Sequence, residues 1–454
     1  MALPYAWLSC RWPCHAAIQN SLMPVIDTAT RILISGGRVI DPANHTDAVR
    51  DVYIADGKVI ALGNAPQDFK ADLEIDARQR IVCPGLIDIS ARLREPGQEQ
   101  KATIATESLA AASAGITTLC CPPDTNPVID TPAVTEFIRL RAEAAGNARI
   151  VTLGALTRSL GGEQLSEMAA LQKAGCVGVS NALKSVLNPL ILRRAMEYAA
   201  TFNLTVFLYP NDHWLANDGC AHEGRVATRL GLPGIPEAAE TAAVAHNLAL
   251  IEQTGVRAHF CRLTTGRAAR MVARAQYDGT PVTADVAIPY LYLSEVDISD
   301  FDSQCHLIPP LRTVEDRQHL RDALQQGTLS AICSDHQPHE PDAKLGPFPA
   351  TEPGISGLDT LLPLGLRLAE EHSIELADLI HRLTAGPAKI LGLPFGMLSI
   401  NAAADICIFD PTASWQLDSS TIRSNGHNTP FLGWEMKGRV THTLLAGKLV
   451  YTLN

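Results

Sequence analysis

The middle of the chain alternates between short apolar runs of four to six residues and longer stretches with helical character. The apolar runs cover residues 86–89, 116–121, 150–153, 176–180, 204–209, 256–261, 281–286 and 330–333. Helical patterns between them include residues 132–145, 189–200, 236–253 and 314–325. Eight strand–helix units over residues 84–395 predict an α/β fold, a closed (β/α)8 TIM barrel.

A doubly wound open sheet is the alternative arrangement of such units. That fold usually carries a glycine-rich nucleotide loop directly after a strand, and none of the eight runs is followed by one. The barrel is therefore the preferred prediction.

Both ends of the chain have the pattern of β-structure. Residues 51–62 indicate a hairpin that turns at Asp56 and Gly57, and residues 404–410 and 439–451 indicate a strand and a second hairpin. We therefore predict one small β-sandwich domain built from residues 31–83 and 396–454. We predict a poorly ordered N-terminal extension over residues 1–30, because the first 23 residues carry little charge and show no clear period. Met23 is an alternative start to Met1.

Composition excludes several classes of protein. The formal net charge of -11 and the absence of a basic stripe argue against nucleic-acid binding. No apolar run reaches about 18 residues, so no membrane span is predicted. The eleven cysteines form no CxxC pair, which is typical of a protein in a reducing cytoplasm.

In a barrel of this kind, chemistry is found where strands end and the following loops begin. Polar side chains at these places are the candidate site residues. They are Ser90, Arg92 and Arg94 after the first run, Asp124 after the second, Asn181 and Lys184 after the fourth, Tyr209 at the end of the fifth, His259 and Arg262 at the sixth, and Asp335, His336 and His339 after the eighth.

Five motifs in order along the chain resemble those of a dihydroorotase of the amidohydrolase superfamily. They are Pro-Gly-Leu-Ile-Asp at the start of residues 84–97, Gly-Ile-Pro-Glu in 230–237, Pro-Pro-Leu-Arg in 309–316, Ser-Asp-His in 334–339 and Asn-Thr-Pro-Phe in 428–433. The resemblance implies a metal-dependent hydrolase barrel. It also implies two zinc ions held by a His-x-His pair, a bridging carboxylate, two further His and an Asp that serves as the base.

Carried over to this chain, that ligand set is degenerate. The His-x-His pair falls on Ser90 and Arg92, and the remaining positions fall on Asn181, Tyr209, Arg262 and Asp335. Zinc needs lone pairs from imidazole, thiolate or carboxylate, whereas Arg is only a donor and stays protonated. We predict no catalytic residue, a lost zinc site and no cofactor. Asp335 would be the relic of the base, with Arg92 or Arg262, or both, as its counter-ion.

The resemblance also assigns relics of substrate binding. Arg94 matches an Arg that grips the substrate carboxylate, but its partner Asn falls on Asp124, which would repel an anion unless protonated or paired. His339 is grouped with these relics. Two alternatives for metal stay open. His259, His336 and His339 could form a relocated site, and Lys184 could mimic the carboxylated Lys of other superfamily members.

The resemblance extends to the noncatalytic dihydroorotase-like chains that accompany aspartate carbamoyltransferase in some bacteria. It implies an inactive structural or assembly subunit in pyrimidine biosynthesis, with the catalytic chain of aspartate carbamoyltransferase as partner. One alternative is an active zinc-dependent dihydroorotase, hydantoinase or allantoinase with an atypical metal site at Asp335 and His259 or His339. Another is a small-molecule sensor that uses Arg94 in the emptied pocket.

Overall fold

The structure, a computed structural model, describes residues 30–453. The predictions about the N-terminal extension and the start at Met1 or Met23 fall, apart from Thr30, outside the described residues.

The first part of the described chain is a series of short strands. They are β1 (Ile32–Ser35), β2 (Arg38–Asp41), β3 (Thr46–Val49), β4 (Val52–Ala55), β5 (Lys58–Leu62), β6 (Leu73–Asp76) and β7 (Ile81–Pro84). The predicted hairpin is confirmed as β4 and β5. Its turn residues Asp56 and Gly57 both have positive φ, 51° and 73°, which matches the twist of two-residue hairpin turns.

Eight parallel strands then form the barrel wall, and a two-stranded ribbon, β13 and β14, lies outside it. In chain order they are β8 (Leu86–Asp88), β9 (Ile116–Cys121), β10 (Arg149–Ala155), β11 (Gly178–Ser180), β12 (Thr205–Leu208), β13 (Ala221–His222), β14 (Gly234–Ile235), β15 (Ala258–Phe260), β16 (Val282–Ala287) and β17 (Ala331–Cys333). Every predicted apolar run overlaps one barrel strand, so the (β/α)8 prediction is confirmed.

The seam between the first and last barrel strands closes just beyond their ends. Ala91 and His336 form a parallel bridge, in which Arg92 N donates to His336 O at 2.9 Å. Below it, the buried Asp88 carboxylate accepts hydrogen bonds from Ser334 N at 3.1 Å, from the Ser334 hydroxyl and from Ser90 N at 3.2 Å. The Asp88 side chain thus replaces part of the backbone hydrogen bonding that is absent between β8 and β17.

Helices cover the outside of the barrel. They are α1 (Ile104–Ser113), α2 (Pro132–Ala145), α3 (Met168–Lys173), α4 (Pro189–Thr201), α5 (His213–Ala216), α6 (Arg225–Leu230), α7 (Glu237–Thr254), α8 (Gly266–Tyr277), α9 (Val314–Gln325), α10 (Leu361–Glu371), α11 (Leu376–Leu383) and α12 (Ala385–Leu391). α2 and α9 have the predicted bounds. α7 begins one residue after Pro236, which is its N-cap.

The two ends of the chain share one domain, as predicted. The last strands, β18 (Ile406–Gln416), β19 (Glu435–Leu445) and β20 (Lys448–Thr452), continue a six-stranded sheet in the order β20-β19-β18-β7-β2-β3. A four-stranded sheet, β5-β4-β1-β6, faces it. Side chains of both sheets, such as Ile34 and Ile408, form a common apolar core separate from that of the barrel.

One segment inside residues 396–454 belongs to the barrel instead of the sandwich. Leu417, Ile422 and Phe431 pack in the apolar core of the barrel. Asn428 donates from Nδ2 to the carbonyls of Gln337 and Gly354, at 2.9 and 3.0 Å. The predicted boundary therefore needs correction between β18 and β19, because this loop returns to the barrel mouth.

We expect the Asp88→Ala variant to lose about 3 kcal/mol or more of unfolding free energy. Three buried donors would lose their acceptor, and each such loss costs about 1–3 kcal/mol. Urea unfolding measures this. The exposed Asp300 gives the matched control, Asp300→Ala, with an expected change within about 0.5 kcal/mol. Equal stability of the two variants would contradict a structural role for Asp88.

Candidate functional site

The barrel brings the side chains that follow its first, sixth and last strands into one buried cluster. Ser90 and Arg92 lie beyond β8, Arg262 lies beyond β15, and Asp335 lies beyond β17; all four are buried. They are separated by up to 245 residues along the chain. The carboxyl ends of parallel strands meet at one edge, so this convergence follows from the barrel.

Asp335 is the acceptor at the centre of this cluster. Its Oδ1 accepts from Arg262 Nη1 at 2.6 Å, from Arg92 Nη1 at 3.3 Å and from Ser90 Oγ at 3.2 Å. Its Oδ2 accepts from Gln337 Nε2 at 3.1 Å. The ion pairs of Asp335 with both Arg92 and Arg262, which the sequence led us to expect, are present.

A second carboxylate balances the charge of the cluster. Arg92 Nε donates to Asp124 Oδ2 at 2.9 Å, so two guanidinium groups face two carboxylates. Burial acts to raise the pKa of Asp124, but the neighbouring Arg92 outweighs it and holds that pKa below its usual value. Burial likewise opposes the charge of Arg262, yet Asp335 raises the pKa of Arg262 well above its usual range. The cluster thus sets two guanidinium groups against two carboxylates.

The backbone at three of these loops adopts the left-handed conformation. φ is 64° at Arg94, 54° at Arg262 and 46° at Asp335. For a residue other than glycine this conformation costs about 1–2 kcal/mol. It persists only where the surroundings fix the chain, and such sites cluster at functional positions in proteins. The ion pairs and the closed seam fix it here.

This set of side chains does not fit a zinc centre. A zinc ion takes about four lone pairs from imidazole, thiolate or carboxylate, and the cluster offers two carboxylates whose inner oxygens already accept from guanidinium groups. Two permanent positive charges would also repel a cation. Across residues 30–453, no group of three or more His, Cys, Asp or Glu is placed to hold a metal.

The two other predicted ligand positions, Asn181 and Tyr209, do not hydrogen-bond Asp335. The Asn181 side chain donates to Lys184 O at 2.9 Å and accepts from Thr157 Oγ1 at 2.6 Å, so it braces its own loop. The Tyr209 ring faces the Arg262 guanidinium, with 5.3 Å between centroid and Cζ. The buried Tyr209 hydroxyl has no hydrogen-bond partner among the described residues, and burial raises its pKa above its usual value.

The predicted substrate relics are engaged with one another or with the protein. Arg94 Nη2 lies 3.0 Å from His339 Nε2, and Arg94 Nε donates to Pro338 O at 3.0 Å. Burial, Arg94 and Lys101 lower the pKa of His339 to about 3, so its ring is neutral. The space beside Arg94 measures about 40 Å³, far below the roughly 300–1,000 Å³ of ligand pockets.

The alternative metal residues also serve the fold. His336 Nε2 lies 2.8 Å from Glu107 Oε2, and its Nδ1 accepts from Gly357 N at 3.1 Å. His259 lies between Thr283, at 2.8 Å, and Asp285, at 3.3 Å. Lys184 lies in a different cavity, described below. The structure therefore does not bring His259, His336 and His339 together as one ligand set.

Two members of the cluster escaped the sequence analysis. Gln337 donates to Asp335, and Asp285 accepts from the backbone amide of Arg262. Asp285 carried a usable signal, because an isolated acidic residue in an otherwise apolar barrel strand requires a buried partner. Gln337 carried none beyond its place next to His336.

We expect Asp335→Leu and Arg262→Met each to cost about 3–5 kcal/mol of unfolding free energy, because each leaves a buried charge without its partner. The double variant should cost less than the sum by at least about 0.5 kcal/mol. Urea unfolding of the four proteins measures this coupling. The exposed pair Arg274 and Asp278 gives the control cycle, with single effects within about 0.5 kcal/mol. Equal results in the two cycles would contradict a buried ion pair.

Comparison with known proteins places this site in a family. A profile described as "Dihydro-orotase-like" matches residues 79–267, and one described as "Amidohydrolase family" matches residues 213–450. A "Dihydroorotase-like protein" of Pseudomonas aeruginosa is 51% identical over 420 residues, which are 92% of this chain and 99% of the relative. A "Dihydroorotase" of Anaeromyxobacter dehalogenans is 43% identical over 425 residues, 92% of this chain and 98% of the relative.

Solved structures agree on the fold. An L-hydantoinase from Arthrobacter aurescens superposes with a TM-score of 0.83 at 20% identity, over 94% of this chain and 98% of that one. A dihydropyrimidinase from Brevibacillus agri gives a TM-score of 0.79 at 21% identity, over 93% and 95%. The chain belongs to the dihydroorotase-like family of the amidohydrolase superfamily.

Proposed function

We propose that this chain is a catalytically inactive member of its family. It would act as a structural or assembly subunit of an aspartate carbamoyltransferase complex in cytoplasmic pyrimidine biosynthesis. The proposal of inactivity rests on the hydrogen bonds that two guanidinium groups donate to Asp335, at 2.6 and 3.3 Å. In the dihydroorotase site that the sequence resembles, hydrolysis needs a metal-activated water and a free carboxylate base. The contacts of Asp335 with the two arginines oppose both requirements.

The space near Asp335 supports the same proposal. A cyclic amide must approach a nucleophile to within about 3–3.5 Å to react. Both oxygens of Asp335 already accept hydrogen bonds from the protein, and the space on the Arg92 side of the cluster, lined by Arg92, Arg94 and Asp124, measures only about 40 Å³. A substrate would have to displace the arginines first.

The partner assignment rests on the resemblance of the whole chain to noncatalytic dihydroorotase-like subunits. The described helices include none long and apolar enough to cross a membrane. The nine cysteines in the described part of the chain are all free, which suits a reducing compartment. These observations are consistent with a partner in the cytoplasm, namely the catalytic chain of aspartate carbamoyltransferase.

An active hydrolase is the second candidate, because several relatives carry the name dihydroorotase and the structural neighbours are hydantoinases. If the chain is inactive, we expect no turnover of dihydroorotate or hydantoin. We also expect less than one zinc ion bound per chain after incubation with the metal. Mass-spectrometric metal analysis and a spectrophotometric assay measure these two quantities. One bound zinc together with activity that disappears in Asp335→Asn would establish the hydrolase instead.

The assembly role predicts a change in the transcarbamoylase itself. Co-expression with the cognate aspartate carbamoyltransferase should give a complex larger than either chain on size-exclusion chromatography, with higher carbamoyl transfer than the transcarbamoylase alone. The Asp335→Asn variant should support assembly as long as it folds, since no chemistry of this chain is required. If the transcarbamoylase assembles and works equally well alone, the subunit role is wrong.

A further inference from the structure

A cavity apart from the ion-paired cluster lies near the barrel mouth. A cavity of about 360 Å³ lies beyond the ends of β11 and β12, bounded by α4, α5 and α7. Arg92, Arg262 and Asp335 do not line it. Its volume lies within the range of small-molecule sites, which the space beside Arg94 does not reach.

Hydrogen bonds between the surrounding loops hold the cavity open. The Ser185 hydroxyl donates to Asn211 O and joins the loops after β11 and β12. Asp212 N donates to Ala239 O at 2.8 Å and ties the second loop to α7. Asp212 Oδ1 accepts from Leu215 N at 2.9 Å and caps α5. A ligand would therefore enter a site whose walls are already in place, which lowers the entropy lost on binding.

A buried amide faces this space without a protein partner. The Asn247 side chain, on α7, lines the cavity and is only 7% exposed. Within residues 30–453 it makes no hydrogen bond to the protein. The amide is open to the cavity, so it is available to hydrogen-bond a bound molecule or water.

The ionisable side chains around the cavity favour an anion. Lys184, His213 and His246 all line it, and in the described part of the chain none of their side chains forms an ion pair or a hydrogen bond. Asp212 is the one acidic residue in the lining, and its carboxylate is engaged in capping α5. Lys184 thus offers a ligand a positively charged donor that has no partner within the described residues, while Oδ1 of Asp212 is turned toward α5.

The apolar part of the lining favours a flat ring. Phe207 and Leu192 contribute inner apolar surface, while Trp214 stands at the cavity with 75% of its surface exposed. The rings of Trp214 and His213 meet edge to face, with centroids 5.0 Å apart. The contact with the His213 imidazole orients the Trp214 indole for stacking. A ligand ring stacked on this indole would bury apolar area that is now exposed to water.

We propose that this cavity binds a small heteroaromatic anion, with its carboxylate or phosphate at Lys184, its polar ring edge at Asn247 and its ring against Trp214. The site is displaced from the barrel axis toward the loops after β11 and β12. It does not depend on the assembly role, because an active hydrolase or a subunit could equally carry it. The sequence analysis placed the alternative of a small-molecule sensor at Arg94. This proposal places the binding site at Lys184, Asn247 and Trp214 instead.

Calorimetric titration of the full-length protein tests this with three probes that share a pyrimidine ring. Orotate supplies a carboxylate, uridine 5′-monophosphate supplies a phosphate, and uracil supplies neither. Binding of orotate, of the nucleotide or of both, at least about tenfold tighter than uracil, supports the site and identifies the anionic group. Uracil binding equal to both anions, or no binding of either anion at millimolar concentration, overturns the proposal.

Variants locate the bound ligand. Lys184→Met should weaken the anion about tenfold or more, which corresponds to one lost hydrogen bond to a charged group. The exposed Lys173, on α3 and outside the cavity, gives the matched control Lys173→Met, which should bind as the wild type does. Asn247→Leu is a second variant that should weaken the same probe. Unchanged affinity in both cavity variants overturns the assignment.

Fluorescence gives an independent readout. Ligand stacking on Trp214 should quench part of the tryptophan emission, and Trp214→Phe should abolish that change while calorimetry still detects binding. A quenching signal that survives in Trp214→Phe would place the ligand elsewhere.

Discussion

The ion pair between Asp335 and Arg262, shared with Arg92, is the interaction on which the barrel mouth depends. Burying one carboxylate alone would cost several kcal/mol, and so would burying a guanidinium alone. Here the two arginines meet the buried carboxylate of Asp335 and the partly exposed carboxylate of Asp124 through contacts of 2.6 to 3.3 Å. This arrangement places permanently charged side chains at the barrel axis. The resemblance to dihydroorotases would put metal ions at the same position.

The cluster is balanced in charge but not complete in hydrogen bonding. Arg92 Nη2 and Arg262 Nε are buried and have no partner within the described residues. In a cluster arranged only for stability, we would expect these nitrogens to be hydrogen-bonded. Apolar side chains of similar volume would be another solution, because replacing a buried ion pair by such side chains is often neutral or stabilising. The cluster is therefore not arranged for stability alone.

The motifs singled out in the sequence hold the barrel together through contacts that do not involve Asp335. Arg312, in the Pro-Pro-Leu-Arg motif, donates to Ile235 O of the Gly-Ile-Pro-Glu motif at 2.7 Å. Asn428 accepts from His339 N at 2.8 Å and bridges the last barrel loop to the end of the chain. These contacts need no metal. The sequence therefore predicted the fold well, down to the bounds of α2 and α9.

The limits of the sequence analysis have a common physical origin. Residue types at strand ends predicted that Arg92, Arg262 and Asp335 would meet, because barrel topology alone decides that. Gln337, the return of residues 417–434 to the barrel and the cavity at Asn247 depend on loop conformations and on contacts across long separations, such as Asn428 with Gln337. Charge now fills the axis, and the unpaired donors lie beside it, around Lys184 and Asn247. The space large enough for a ligand thus lies at the loops after β11 and β12 instead of beside Arg94, and no local pattern encodes that position.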